Sequence, residues 1–287
     1  MTGSGVEIRP LQPDARGCAE VAELLLLSFP GVKHLSAAYL EWSYLENPEG
    51  QAFAYNAYAG DRLVAHCAAT PLLGRIDGTE ERGLEMQHAA THPNHAGRGL
   101  FTELAERSLQ SAAREGFSFA VAPSNANSTF AFTRRLGFQL VQPFEVRVGV
   151  GPLPKSRPGQ APQFERVWGR ESLTWRLSRP DLPYRALHRG DQRVIFADTG
   201  ILGLEVELGT FPADRIGREL PAHRLRQPIR VWIGLDPSRS FRGRPFVNLP
   251  LRLRPSPLNF IFRDLTGRGR QLEAGRVRAN MLDYDAF

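Results

Sequence analysis

The chain has 287 residues, 42% of them apolar, which is material for one large core or two modest ones. No apolar run exceeds four residues, as at Leu24 to Leu27, which is far too short to cross a bilayer, and no charged-then-apolar leader opens the chain, so a cytoplasmic protein is expected. The formal charge of +6 is uneven, −4 over residues 1–150 (12 Lys/Arg, 16 Asp/Glu) and +10 over 151–287 (24 and 14), yet its arginines are scattered singly, which argues against a nucleic-acid surface and favours an anionic substrate.

Residues 6–11 alternate as a first strand, and Asp14 is placed to cap a helix with Cys18, Val21, Ala22, Leu25 and Leu26 on one side. Residues 35–46 read as a second helix, containing Trp42 and Tyr44 and stopped by Asn47-Pro48. Two strands, 52–58 and 63–72, flank the turn Ala59-Gly60-Asp61-Arg62. An extended stretch, 84–91, is broken by Pro93-Asn94 and leads to a helix over 98–115, where Leu100, Phe101, Leu104, Ala105, Leu109, Ala112 and Ala113 recur at helical spacing. Gly116 ends that helix. A buried strand (117–122), a short helix (124–136) closed by Gly137, and a stretch over 138–150 that completes the sheet follow. Cys18 and Cys67 offer no disulfide framework, and the seven histidines show no metal-ligand spacing, so no metal is expected.

The loop before the long helix carries the strongest functional signal. Gly97 and Gly99 allow a sharp turn, and the amides of Gly97, Arg98, Gly99, Leu100, Phe101 and Thr102 then converge at a helix N-terminus. There the first N–H groups lack partners and the dipole is positive, which makes a backbone cradle for a diphosphate. The order strand, His-Pro, Ala-Gly-Arg-Gly-Leu-Phe, long helix, apolar strand, short helix, Leu-Gly-Phe resembles the GCN5-related N-acetyltransferase (GNAT) superfamily. The family's loop pattern is Gln/Arg-x-x-Gly-x-Gly/Ala; here Ala96 and Phe101 replace its ends, while Gly97, Arg98 and the central Gly99 are kept.

The resemblance implies an α/β (α+β) GNAT fold, a mixed and mostly antiparallel sheet with helices on both faces. It also implies acetyl transfer from acetyl-CoA to a primary amine by direct attack in a ternary complex. The family's cofactor pairs with the central strand beside a splayed neighbour; the matching positions are Ala89, Ala90 and Thr91, whose small side chains leave room for the pantetheine arm. Asn125 and Asn127 fall where the family has a cofactor-contacting asparagine, and either can instead cap a helix. Glu85 matches the general-base glutamate of the histone-acetyltransferase branch and shares a face with Ala89 on a regular strand; a solvent-facing carboxylate is the plainer reading. His88 is the second candidate base, facing the other way unless a bulge reverses the parity. His92 and His95 are expected to be turn residues. Thr133 stands where many members have a tyrosine that protonates the leaving thiolate.

Residues 151–162 hold four prolines and no periodicity. Beyond them the start of the chain recurs: Trp42…Asn47-Pro48…Gly60-Asp61-Arg-Leu-Val64 has a counterpart in Trp175…Arg179-Pro180…Gly190-Asp191-Gln-Arg-Val194. A strand over 202–208, a helix over 214–220 and a strand over 229–235 are expected next, but Gly209-Thr-Phe-Pro-Ala213 offers no second glycine. This gives an acetyl-CoA-binding GNAT domain at 1–150, a linker at 151–166, and a degenerate GNAT-like domain at 167–287 that has lost its cofactor site, as in the tandem members of the superfamily. Asp283 and Asp285 read most simply as a solvated tail, though the resemblance to tandem members implies a tail that can reach the cleft. The acceptor and the oligomeric state stay open, a homodimer being one reading. The alternative function is a GNAT-fold protein that only binds CoA or a partner.

Overall fold

The computed structural model describes residues 5–32, 34–157, 159, 161–198, 201, 203–223, 228–254 and 258–284, so the expected role of Asp285 lies outside it. The chain opens with β1 (Val6–Pro10) and α1 (Ala15–Ser28); the Gly17 amide donates to Asp14 Oδ1 at 2.7 Å, which is the cap the sequence predicts. After α2 (Ala37–Tyr44) come β2 (Phe53–Ala59), β3 (Arg62–Ile76) and β4 (Thr79–Thr91), an antiparallel meander. Then α3 (Leu100–Arg114) buries Leu100, Leu104, Ala105, Leu109 and Ala112 against one face of that meander, and Gly116 at φ 84° ends it. Next, β5 (Phe119–Ser124) runs parallel to β4, and α4 (Ala126–Arg135) and β6 (Gln139–Pro143) follow. On the other face α1 and α2 pack Cys18, Val21, Leu25, Tyr39, Leu40 and Trp42.

After Pro143 the chain leaves this sheet. β7 (Glu145–Val150) pairs with residues 229–234, so the expectation that residues 138–150 complete the first sheet is corrected. The remaining elements are β8 (Phe164–Arg166), α5 (Arg170–Arg176), β9 (Arg185–Arg189), β10 (Gln192–Asp198), β11 (Leu204–Pro212), β12 (Ile229–Leu235), β13 (Phe246–Asn248), β14 (Asn259–Asp264) and β15 (Val277–Asn280). The place beside β5 is taken by β14, antiparallel to both β5 and β6, with Phe260, Ile261 and Phe262 fully buried. The first sheet therefore runs β1-β2-β3-β4-β5-β14-β6, and a second runs β9-β10-β11-β12-β7-β13. Each sheet contains a strand from the other part of the chain, and β8 and β15 bridge them.

The helix expected over 214–220 is absent; only a 3-10 turn, Ala213–Arg215, forms. Gly217 and Pro221 punctuate the segment, the Gly217 amide donates to Thr174 Oγ1 at 3.0 Å, and Arg215 donates to the Trp168 carbonyl at 3.0 Å, which pin it along α5 as an irregular strap. Trp42 and Trp175, matched in the sequence repeat, stack at 4.6 Å and 15°. Each indole N–H donates to the other's main-chain oxygen, at 3.1 and 3.0 Å, so α2 and the end of α5 meet reciprocally.

Candidate active site

β4 and β5 pair only from Gly83–Phe119 to Glu85–Val121 and then part, leaving residues 86–91 of β4 without a strand on that side. Between β4 and α3 lie a 3-10 turn, Pro93–His95, and the two glycines, Gly97 at φ 75° and Gly99 at φ 77°, the latter capping α3 without a side-chain bond. Among the described residues the amides of Gly97, Arg98, Gly99, Leu100, Phe101 and Thr102 have no protein acceptor, and the Arg98 guanidinium has no hydrogen-bond partner. Leu100 is buried, and Phe101 sits edge-on to Phe132 at 5.2 Å; their side chains anchor the helix while their amides stay free. A groove of about 680 Å³ starts at Gly99 and Thr102 and follows α3 past Glu103 and Arg107.

At the far side of the splay, Asn125 spends its side chain on the α4 cap, accepting from the amides of Asn127 and Ser128 at 3.0 Å each; Asn127 is exposed. The Thr133 hydroxyl donates to the Thr129 carbonyl at 2.9 Å, inside its own helix. Ala90 and Thr91 pair with His66 and Ala65 of β3 on the side away from the splay.

Glu85 is 5% exposed, its carboxylate 3.5 Å from Arg166 of β8. Arg166 is itself buried, lies over Trp168 at 4.0 Å, donates to the Asp283 carbonyl, and has its pKa held below the ordinary value chiefly by desolvation. Asp283 is not the solvated residue expected. It is 3% exposed, accepts from Trp168 Nε1 at 2.8 Å and from the Asn280 amide at 2.7 Å, and burial raises its pKa to about 6. Arg176 fixes the same segment by donating to the carbonyls of Leu282 (2.9 Å) and Tyr284 (2.7 Å). Arg166 was invisible as a site residue in the sequence, because its separation from Glu85 hides the contact; Asp283 was legible only as part of a tail that could reach the cleft.

The bulge that decides the His88 question is present. The β3–β4 register slips between His66 and Ala68, and His88 takes φ 51°. Ala89 therefore packs toward α3 while Ala90 packs toward α1 and α2, and the regular-strand expectation that Glu85 and Ala89 share a face is corrected. His88 Nδ1 lies 2.9 Å from Tyr44 Oη and Nε2 lies 2.9 Å from Tyr39 Oη. Burial, with His66, His34 and Arg179 nearby, holds its pKa well below the ordinary value. His92 and His95 belong to the turn after β4, as expected.

The sequence model described as an acetyltransferase (GNAT) domain matches residues 7–141. Residues 7–141 are a GNAT acetyltransferase domain. This domain marks the protein as an acyltransferase, and the mixed, mostly antiparallel sheet is the GNAT fold. Similar solved structures include a probable N-acyltransferase from Enterococcus faecalis (11% identity, 91% of this chain and 73% of that one, TM-score 0.60). A GCN5-related N-acetyltransferase from Anabaena variabilis (12%, 90% and 73%, 0.61) and Eis1 from Mycobacterium abscessus (13%, 91% and 73%, 0.57) are also similar. At such identities the likeness is one of fold. No curated protein matches the sequence.

Outside the GNAT domain the second sheet repeats the splay. β11 and β12 pair in parallel only over 204–206 and 229–231, β11 carries its own register slip opposite Ile195 and Phe196, and a cavity of about 470 Å³ opens beside Glu207, Trp232, Asp236 and Arg239. Among the described residues the chain leaves β11 through the Ala213–Arg215 turn, not a glycine-bracketed helix. Among the described residues no group of three or more His, Cys, Asp or Glu side chains could hold a metal, and no helix is long and apolar enough to cross a membrane.

Proposed function

We propose that this protein transfers an acetyl group from acetyl-CoA to a primary amine by direct attack within a ternary complex. The observation that carries the reading is the set of six unpartnered amides from Gly97 to Thr102 at the N-terminus of α3, beside the open edge of β4. The diphosphate of the carrier sits on these amides with Arg98 alongside, and the pantetheine arm pairs along Ala89, Ala90 and Thr91. Asn127 is exposed and free to contact the arm as it passes α4.

Glu85 is the group we assign to receive the amine's proton. Its carboxylate is buried against Arg166, so the transfer runs through water. With the Thr133 hydroxyl engaged in its own helix, water also protonates the departing thiolate; positioning of the two substrates supplies much of the rate. Residues 1–150 bind the carrier, 151–166 link and end on Arg166 beside Glu85, and 167–287 form a degenerate GNAT-like half that shapes the acceptor side through Arg176 and Asp283. The setting is cytoplasmic.

Acetyl-CoA should raise the melting temperature in proportion to its occupancy. Gly99→Glu, which puts bulk and negative charge into the cradle, should abolish that rise. An unchanged melting temperature at millimolar acetyl-CoA defeats the proposal. The engaged Thr133 also motivates a second reading, a protein that binds CoA without turning it over; a clear thermal shift with no acetylation across amines, amino sugars and peptides would select it.

A further inference from the structure

The β4 bulge is held by side chains in a chain of hydrogen bonds whose direction can be worked out from one end. Tyr58 Oη lies 2.9 Å from Glu20 Oε2, a carboxylate oxygen that only accepts, so Tyr58 donates there and its own oxygen accepts from Asn56 Nδ2 at 3.1 Å. That fixes the amide of Asn56: its Oδ1 faces His66 Nδ1 at 2.7 Å, and His66 must be the donor. His66 is fully buried and neutral, its pKa lowered to about 3, so its Nε2 accepts from the Tyr44 hydroxyl at 2.9 Å. Tyr44, having given its proton to His66, accepts from His88 Nδ1–H at 2.9 Å, and His88 Nε2 accepts from Tyr39 at 2.9 Å. No donor hydrogen or acceptor lone pair along the path is used twice.

We propose that Asn56, His66, Tyr44, His88 and Tyr39 form one directional chain that locks the β4 bulge, which makes His88 a positioning residue for the acyl carrier and not the base. The one basic atom of its ring, Nε2, is covered by the hydroxyl of Tyr39, a residue with no exposed surface, so no imidazole lone pair reaches the cleft. The ring instead ties a residue at φ 51°, a conformation that L side chains seldom adopt, to α2 at two points. Holding that residue reverses the strand's parity, so that Ala89 turns to the α3 face already used by Leu84 and Met86 and Ala90 to the α1–α2 face, beside the unpaired edge of β4 on which the proposed cofactor pairs. The groups facing His88 are His66 from β3, Tyr39 and Tyr44 from α2, His34 ahead of α2 and Arg179 beyond α5; none is a carboxylate that would recharge it.

The inference rests on the proposed acetyl-CoA site for its functional meaning, but its geometry is testable without activity. In long-range proton–nitrogen correlation spectra of histidine-labelled protein, His66 and His88 should both be neutral with the proton on Nδ1 from pH 5 to 8. Tyr44→Phe, which removes the acceptor of the Nδ1 proton, should release His88 to a mixture of tautomers. His88→Val, β-branched and unsuited to φ 51°, should weaken acetyl-CoA binding about tenfold or more, and His88→Asn, which tolerates that conformation, should recover most of it with an unaltered pH profile. An Nε2–H tautomer, or a His88 that titrates near neutrality, overturns the chain. So does a His88→Asn protein that binds acetyl-CoA normally but has lost about a hundredfold in kcat together with a limb of its pH profile. A wild-type protein that binds no acetyl-CoA sinks the functional reading alone, because the spectra still decide whether the chain exists.

Discussion

Asp283 and His66 are buried titratable residues that move the stability of the fold in opposite directions with pH. Burial raises the Asp283 pKa from 3.8 to about 6, so between those values the unfolded chain releases a proton that the folded one keeps, and stability falls as pH rises. Two units correspond to about 3 kcal/mol. Burial lowers the His66 pKa from 6.5 to about 3, so its contribution is complete above 6.5 and is lost as pH falls toward 3; His88 is shifted the same way. The histidine contribution is the larger, and the wild-type melting temperature should rise from pH 4 to 6.5. Asp283→Asn keeps an oxygen for Trp168 Nε1 but not a second one for the Asn280 amide, a loss that is independent of pH. Its melting temperature relative to wild type should therefore climb across pH 4–6, as read by scanning calorimetry. A constant difference would mean that Asp283 does not hold a proton in the fold.

At the scale of elements, Gly83 within β4 and Gly99 at the cap of α3 make separable predictions about glycine. At Gly99 an added Cβ would meet nothing within 4 Å, and the cost of alanine is the φ 77° backbone alone, about 1–2 kcal/mol. At Gly83 the same atom would lie 2.1–2.5 Å from three ring atoms of the buried Phe119, an overpacking that costs about 3 kcal/mol or more. Gly83→Ala should thus be the less stable protein in urea, while Gly99→Ala should be the one with the weaker acetyl-CoA titration; the reverse ranking would contradict this placement of the cradle. These elements were legible in the sequence because their signals are local: Asp14 caps, Gly116 stops, and Leu100 to Ala112 set a 3.6-residue period. The helix over 214–220 was a false reading, since Gly217 and the Trp168 and Thr174 contacts override a short apolar pattern. The bulge at His88 was legible only as a condition, because it depends on Tyr39, Tyr44 and His66 arriving from elsewhere. Asp283 looked like a tail residue for the same reason; its burial comes from Trp168 and Arg166, more than a hundred residues upstream.

For the whole molecule, the exchange of β7 and β14 ties the two parts of the chain into one cooperative structure. No local pattern announces that exchange, since a short apolar strand such as Asn259–Asp264 fits several sheet edges equally well and only the complete fold selects one. The opposite charges of the two parts are partly spent across the same contact, with Arg263 on Glu106 at 2.6 Å and Arg270 on Glu81 at 2.8 Å, but these half-exposed pairs are worth little individually. The apolar strand dominates: Phe260, Ile261 and Phe262 are fully buried between β5 and β6. A chain ending at residue 150 would retain the whole acetyltransferase match yet expose the edge of β5 and leave β7 unpaired. It should associate or stay partly unfolded, and it should show no acetyl-CoA-dependent thermal shift where the full chain does. The full chain should melt in a single calorimetric transition, and Ile261→Pro, which removes a ladder donor from a strand paired on both sides, should lower that transition as one unit. Two separate transitions, or a monomeric and cofactor-responsive 1–150 fragment, would show that β14 is dispensable to the first sheet and that the two parts fold independently.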